Sequence, residues 1–227
     1  MFREAALVAA KDLRVEARSR VTTNQVIPLA FLILVLFAFA FDPDSGILAR
    51  AAGGLFWIAV LFAALLALQR TFAIESADAN RDALRLSGLD GAGVFLGKAA
   101  AVGAQLLVLE FLLLVGVFVL YGAEIEGAVI PALALLLGAC LAATAGLAAA
   151  GTLYAALAAG LRVRETLLPL LLLPVLAPVL IGASRAFESA LRDTPGEGWA
   201  WVGLLAVFGA IYTALGLLVF GALLEES

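Results

Sequence analysis

The chain has 227 residues, of which 64% are hydrophobic and 14% charged. A soluble domain is roughly half apolar and a quarter charged. This chain has too little polar surface to cover a globule, so lipid must be its solvent. The formal net charge of −4 is gathered in an N-terminal arm and a few inter-helix stretches, with no basic tract that reads as a nucleic-acid footprint. Histidine is absent, Met1 is the sole methionine and Cys140 the sole cysteine. These absences exclude an intrachain disulfide, Cys/His zinc sites, His/Met haem ligation and Ser-His-Asp or Cys-His catalysis within the chain.

The first predicted element is an amphipathic helix over 2–24, lying on the membrane surface. Phe2, Ala6, Ala9, Leu13 and Ala17 recur at helical spacing, and Arg3, Lys11, Arg14, Arg18 and Arg20 supply a charged side. Span one follows over about 26–41. Ala38-Phe39-Ala40 mimics a cleavage site, but the arm before it is too long for the short basic region of a signal peptide. The run is therefore read as an uncleaved span, ended by the turn cluster Asp42-Pro43-Asp44-Ser45-Gly46.

Span two is expected over about 49–68, and 69–92 forms the longest polar stretch. Span three covers about 94–120 and, at about 40 Å, exceeds about 30 Å of hydrocarbon, so it must tilt or protrude. Span four covers about 128–158. Gly138, Ala142, Gly146 and Ala150 fall four apart on one face, a ribbon that lets another helix approach closely. Span five covers about 166–184 and carries Pro169, Pro174 and Pro178, which predict kinks or a broken helix. A polar loop is expected over 185–198. Span six covers about 199–223 and opens with Trp199 and Trp201 at an interface.

Lysine and arginine orient these spans. With the N-terminus inside, the inner segments hold Arg3, Lys11, Arg14, Arg18, Arg20, Arg70, Arg81, Arg85, Lys98, Arg162 and Arg164. The outer segments hold Arg50, Arg185 and Arg192. Eleven against three is a strong positive-inside bias. It predicts an all-α membrane domain spanning 1–227, with six spans, an N-terminal interfacial helix and both termini cytoplasmic.

Three features carry candidate chemistry. Gly91 to Lys98 superficially resembles a phosphate loop, but five residues separate Gly91 from Gly97 and Ala99 stands where Ser or Thr would hold Mg²⁺. It is read as a loop and helix start, with Lys98 snorkelling to the inner surface. Glu110 is the one acid deep in an apolar span. It marks either a proton or substrate path, or a structural acid that is protonated or paired with Gln105, Thr144 or a partner subunit. In the 69–92 stretch, Glu75, Asp78 and Asp82 fall on successive turns beside Arg81 and Arg85, and Leu84, Leu86 and Leu89 add an apolar strip. A short helix there could dock into a partner's groove; the alternative is a solvated loop.

The order of these features resembles the haem exporter protein B family, CcmB, the permease-like subunit of the cytochrome c maturation ABC complex. The resemblance runs through Lys11-Asp12-Leu13-Arg14, Gly53-Gly54-Leu55-Phe56-Trp57-Ile58-Ala59 and Leu65-Leu66-Ala67-Leu68-Gln69-Arg70-Thr71-Phe72. It continues through Asp78, Leu84, Leu86 and Lys98 to the double-proline run Leu171-Leu172-Leu173-Pro174-Val175-Leu176-Ala177-Pro178-Val179-Leu180-Ile181. It implies an ABC-2-type permease with an elbow helix and six spans in the bacterial inner membrane. It implies that the 69–92 loop docks on a CcmA-like ATPase through Arg70, Glu75, Asp78, Arg81, Asp82, Leu84, Arg85 and Leu86. It further implies a homodimer working with CcmC-, CcmD- and CcmE-like haem-handling proteins. ATP-Mg would then sit on the partner, the chain would not be an enzyme, and no cofactor would be bound by it. Missing histidines make haem a cargo held by partners, with this chain transmitting movement. The alternatives are an ABC-2 permease for a lipid or drug, a proton-coupled carrier using Glu110, and a static scaffold for haem-handling partners.

Overall fold

The computed structural model describes residues 1–20, 22–41, 46–77, 90–159, 164–192 and 194–226, and these are all helix or short connection. The helices are α1 (Phe2–Ser19), α2 (Ile27–Ala40), α3 (Ile47–Ala77), α4 (Gly91–Leu120), α5 (Val129–Ala159), α6 (Arg164–Leu191) and α7 (Pro195–Glu226). A π-helical turn, Thr22–Val26, joins α1 to α2. Helix is what a chain in lipid must form, because each backbone N–H then finds its acceptor within its own segment.

Five helices, α3 to α7, are long and apolar enough to cross a bilayer. Helix α2 has 14 residues and is about 21 Å long, short of the hydrocarbon thickness. It reaches span length only with the helical residues that precede it, as the second arm of a pair bent by 58° from α1. The six-span expectation therefore holds if that bent pair supplies one span.

Helix α5 is the hub, touching α3, α4, α6 and α7. Its composition explains this. Between Ala139 and Thr152 it is mostly alanine and glycine, and Ala139, Ala143, Leu147 and Ala150 are fully covered. Small side chains let neighbours approach on several sides, and dispersion over short distances then replaces the hydrophobic drive that lipid does not supply. Along its glycine ribbon, Gly138 lies under Trp199 and Gly146 under Phe208. A methyl at Gly146 would stand 2.9 Å from the Phe208 ring. Gly138, Gly146 and Ala142 thus lie against α7, where Gly209 faces the Gly146 nitrogen and the Ala142 carbonyl.

Two boundaries differ from the sequence reading. Helix α3 continues to Ala77, so the start of the 69–92 stretch is helix. Helix α6 runs unbroken to Leu191, through Pro169, Pro174 and Pro178, and α7 begins at Pro195. The expected polar loop over 185–198 is thereby reduced to a short connection. Arg185 and Glu188 sit on α6, and Glu188 pairs with Arg185 and with Arg192 just beyond the helix end, each at 3.1 Å, three and four residues away. Each proline leaves one carbonyl without its helical donor and crowds the carbonyl four residues before it, and packing on α3, α5 and α7 holds α6 continuous through all three. Phe187 near its end packs against Phe56 of α3, ring centroids 5.1 Å apart and tilted, and covers Gly53.

Helix α2 is locked to α4 at the end remote from α1. Tyr121 Oη donates to the Leu34 carbonyl at 3.1 Å, and Leu34 and Phe31 seat on Gly116. At the other end, α1 crosses the start of α4 at Gly93 and Gly97. A methyl at Gly97 would stand 2.6 Å from Val8 Cβ and 2.7 Å from the Ala5 carbonyl oxygen. Gly97→Leu should therefore displace α1 and lower stability by about 1–3 kcal/mol, the usual cost of overpacking. Gly54→Ala, at a helical glycine with nothing within 4 Å, should leave stability unchanged or raise it by up to about 1 kcal/mol. Thermal unfolding of both variants in one detergent tests the contrast.

Candidate functional site

The richest polar constellation lies where α1 meets the end of α3 and the start of α4. Helix α1 carries acids at 4, 12 and 16 and Val8 between them, so one face repeats every fourth residue. That face is turned to the protein. Val8 is buried on Gly97, and Glu4 lies against Gly93. One turn further, Asp12 Oδ2 stands 3.6 Å from Lys98 Nζ. Another turn on, Glu16 Oε2 stands 3.6 Å from Arg70 Nε of α3. Glu16 Oε1 also accepts the Thr22 backbone N–H at 2.6 Å, fastening the corner at which the chain leaves α1.

Lys98 is 1% exposed. It does not snorkel to the surface; α1 covers it and brings Asp12 to its ammonium. The ammonium of a buried lysine needs such a partner, because an uncompensated charge away from water costs several kcal/mol. The Gly91–Gly97 stretch is likewise no loop. It is the first two turns of α4, capped by Asp90, whose side chain accepts the Ala92 N–H at 3.2 Å. Its glycines admit α1, and a methyl at Gly91 would meet the Gly221 backbone of α7.

Arg70 and Lys98 flank the stretch expected to dock on a partner. Of that set, Arg70 is described in full and is turned to Glu16. Glu75 lies on α3, with its side chain outside the described residues. Asp78, Arg81, Asp82, Leu84, Arg85 and Leu86 lie outside the described residues altogether. Helix α1 thus holds both helices that lead into and out of 78–89. Sequence reading missed this brace. The signal was present in the fourfold spacing of Glu4, Val8, Asp12 and Glu16, opposite the arginines.

A second constellation lies deep in the bundle. Glu110 on α4 is 2% exposed, and its Oε1 accepts a hydrogen bond from the Thr144 hydroxyl on α5. Cys140, one turn before Thr144, adjoins the same carboxyl. Of the partners considered for Glu110, Thr144 is the one the fold supplies. The other oxygen, Oε2, has no protein partner among the described residues. The small-residue ribbon faces α7, so Glu110 and the ribbon occupy different sides of α5. Among the described residues no group of three or more His, Cys, Asp or Glu could hold a metal ion.

The brace makes a testable energetic claim. Asp12→Ala strips Lys98 of its carboxylate in α1 and should cost about 1–3 kcal/mol. Asp12→Leu combined with Lys98→Met should recover most of that loss, because removing both charges removes the desolvation penalty as well. A double-mutant cycle on unfolding in detergent reads the coupling directly.

Comparison with known proteins adds the lineage. Residues 3–227 match the model of the CcmB protein family. The chain is 30% identical over 205 residues to "Heme exporter protein B" of Haemophilus influenzae, covering 88% of this chain and 86% of that one. It is 32% identical over 195 residues to the protein of the same name from Pseudomonas aeruginosa, covering 82% of each. With the Escherichia coli K12 protein of that name it shares 33% identity over 209 residues, 88% of this chain and 86% of the relative. An all-helical chain of apolar spans, matched end to end by one family, belongs to the CcmB protein family.

Proposed function

We propose that the chain is the permease-like subunit of an ABC complex that handles haem for c-type cytochrome biogenesis. In this reading it receives ATP-driven movement from a separate CcmA-like ATPase. The relatives' name, heme exporter protein B, supplies the cargo class. The brace of α1 on Arg70 and Lys98 supports the route. A push on 78–89 enters α3 and α4 together, and α1 ties their two ends into one unit. The positive-inside bias supports an inner-membrane orientation with both termini and α1 on the cytoplasmic side, where the ATPase would sit.

Haem in this reading is a cargo shared with CcmC-, CcmD- and CcmE-like partners around a homodimer of the chain. With no histidine, one methionine at position 1 and one buried cysteine, the chain offers no ordinary axial ligand pair. It therefore moves its partners and does not itself ligate the iron. A haem titration of the purified chain showing stoichiometric axial ligation would overturn that assignment.

Affinity purification in mild detergent tests the class. An ABC ATPase should co-elute with the chain, and Asp82→Arg should lose both the ATPase and the cellular c-type cytochromes while still inserting into the membrane. Normal cytochrome yield with no ATPase in the eluate would refute the proposal. A second reading, a proton-coupled carrier, is favoured by the bare oxygen of Glu110 inside the bundle. Glu110→Gln separates the two. The permease reading expects near wild-type cytochrome yield, since the amide can still accept from Thr144, whereas the carrier reading expects loss.

A further inference from the structure

Helix α1 sorts its charges. Its three acids, Glu4, Asp12 and Glu16, are all on the protein-facing side and all engaged: Glu4 with the Met1 ammonium at 2.8 Å, Asp12 with Lys11 and Lys98, Glu16 with Arg70 and Thr22. Its four bases, Arg3, Lys11, Arg14 and Arg18, are all exposed. A helix of four bases and three acids by sequence thus presents its bases outward and keeps its acids partly buried against the bundle.

The exposed side is itself divided. At 100° per residue, Arg3, Lys11, Arg14 and Arg18 share one strip, with exposed Leu7 among them, and Phe2, Ala6, Leu13 and Ala17 share the strip next to it. Phe2 is 76% exposed, a large apolar ring covered by nothing in the fold. Position adds a third constraint. Val8 seats on Gly97 at the start of a span, so α1 lies at the depth where spans enter the bilayer, and the 58° bend turns it away from the helix that follows. An apolar strip beside a basic one, at that depth, is the pattern that lets rings enter the acyl region while guanidinium groups meet phosphate.

We propose that α1 binds the headgroups of anionic phospholipids through Arg3, Arg14 and Arg18, with Phe2 and Leu13 inserted beside them. The acids turned inward are what make the surface selective. Were Asp12 and Glu16 exposed, they would cancel two of the four basic charges and weaken the preference for an anionic over a zwitterionic lipid. The same residues that grip the bundle clear the outer face for phosphate.

Native mass spectrometry of the full chain tests this, after release from nanodiscs of equal parts phosphatidylcholine and phosphatidylglycerol. The wild-type chain should retain phosphatidylglycerol over phosphatidylcholine by at least about tenfold, since each base near the surface contributes on the order of fivefold. The triple variant R3Q/R14Q/R18Q should lose that preference, and R3K/R14K/R18K should keep it. R185Q/R192Q, at the opposite end of the bundle, should keep it too. Equal retention of both lipids by wild type, or a preference unchanged in the glutamine variant, would overturn the proposal. So would a photo-crosslinker at Ala6 or Ala17 that, in native membranes, labels a protein subunit and not lipid.

Discussion

Everything in this fold rests on how closely its helices can approach. Lipid tails are as apolar as leucine, so burying one span against another gains little by transfer alone. What remains is dispersion at short range, and that needs backbones to come near. Glycine and alanine permit it at two crossings above all. On α5, Gly138 and Gly146 take rings from α7, and on α4, Gly93 and Gly97 take α1. Remove either set and the polar contacts described above have no geometry to form in.

The second crossing turns a steric fact into an electrostatic one. Because Val8 lies directly on Gly97, Asp12 is carried to Lys98 and Glu16 to Arg70. A lysine that would otherwise reach for water is kept inside, compensated by a carboxylate from α1. The brace joins the end of α3 to the start of α4, the two helices that carry 78–89. Deep in the bundle, Glu110 and Thr144 join α4 to α5 by the same logic, a polar pair where an unpaired group would be costly. Helix α4 is therefore held from α1 at one end, α5 midway and α2, through Tyr121 and Leu34, at the other.

Much of this was legible in the residues. Hydropathy marked the five long helices, because a bilayer imposes one length and one polarity on anything that crosses it. Glu110 was visible as an acid out of place. The small-residue ribbon was visible as a period of four. The failures share a cause. Lys98 was read as snorkelling because nothing in its own segment shows that α1 folds over it. The 185–198 stretch reads as a loop because its charges look solvated in sequence, whereas Glu188 pairs with both Arg185 and Arg192 at the end of α6. Three prolines in α6 predict kinks or a break, and packing on three sides holds it as one helix without a break.

Composition and order alone determined that this is a helical membrane protein, which way its charges bias it, and that it has no histidine to offer zinc or haem iron. Those properties depend on the solvent and on residue chemistry, which act locally. Tertiary structure decided which residues meet: that Asp12 pairs with Lys98, that Glu16 pairs with Arg70, that Thr144 answers Glu110, and that α1 turns acids inward and bases outward. Such pairings join residues up to 86 positions apart, and no local pattern can specify a contact that depends on where two helices cross.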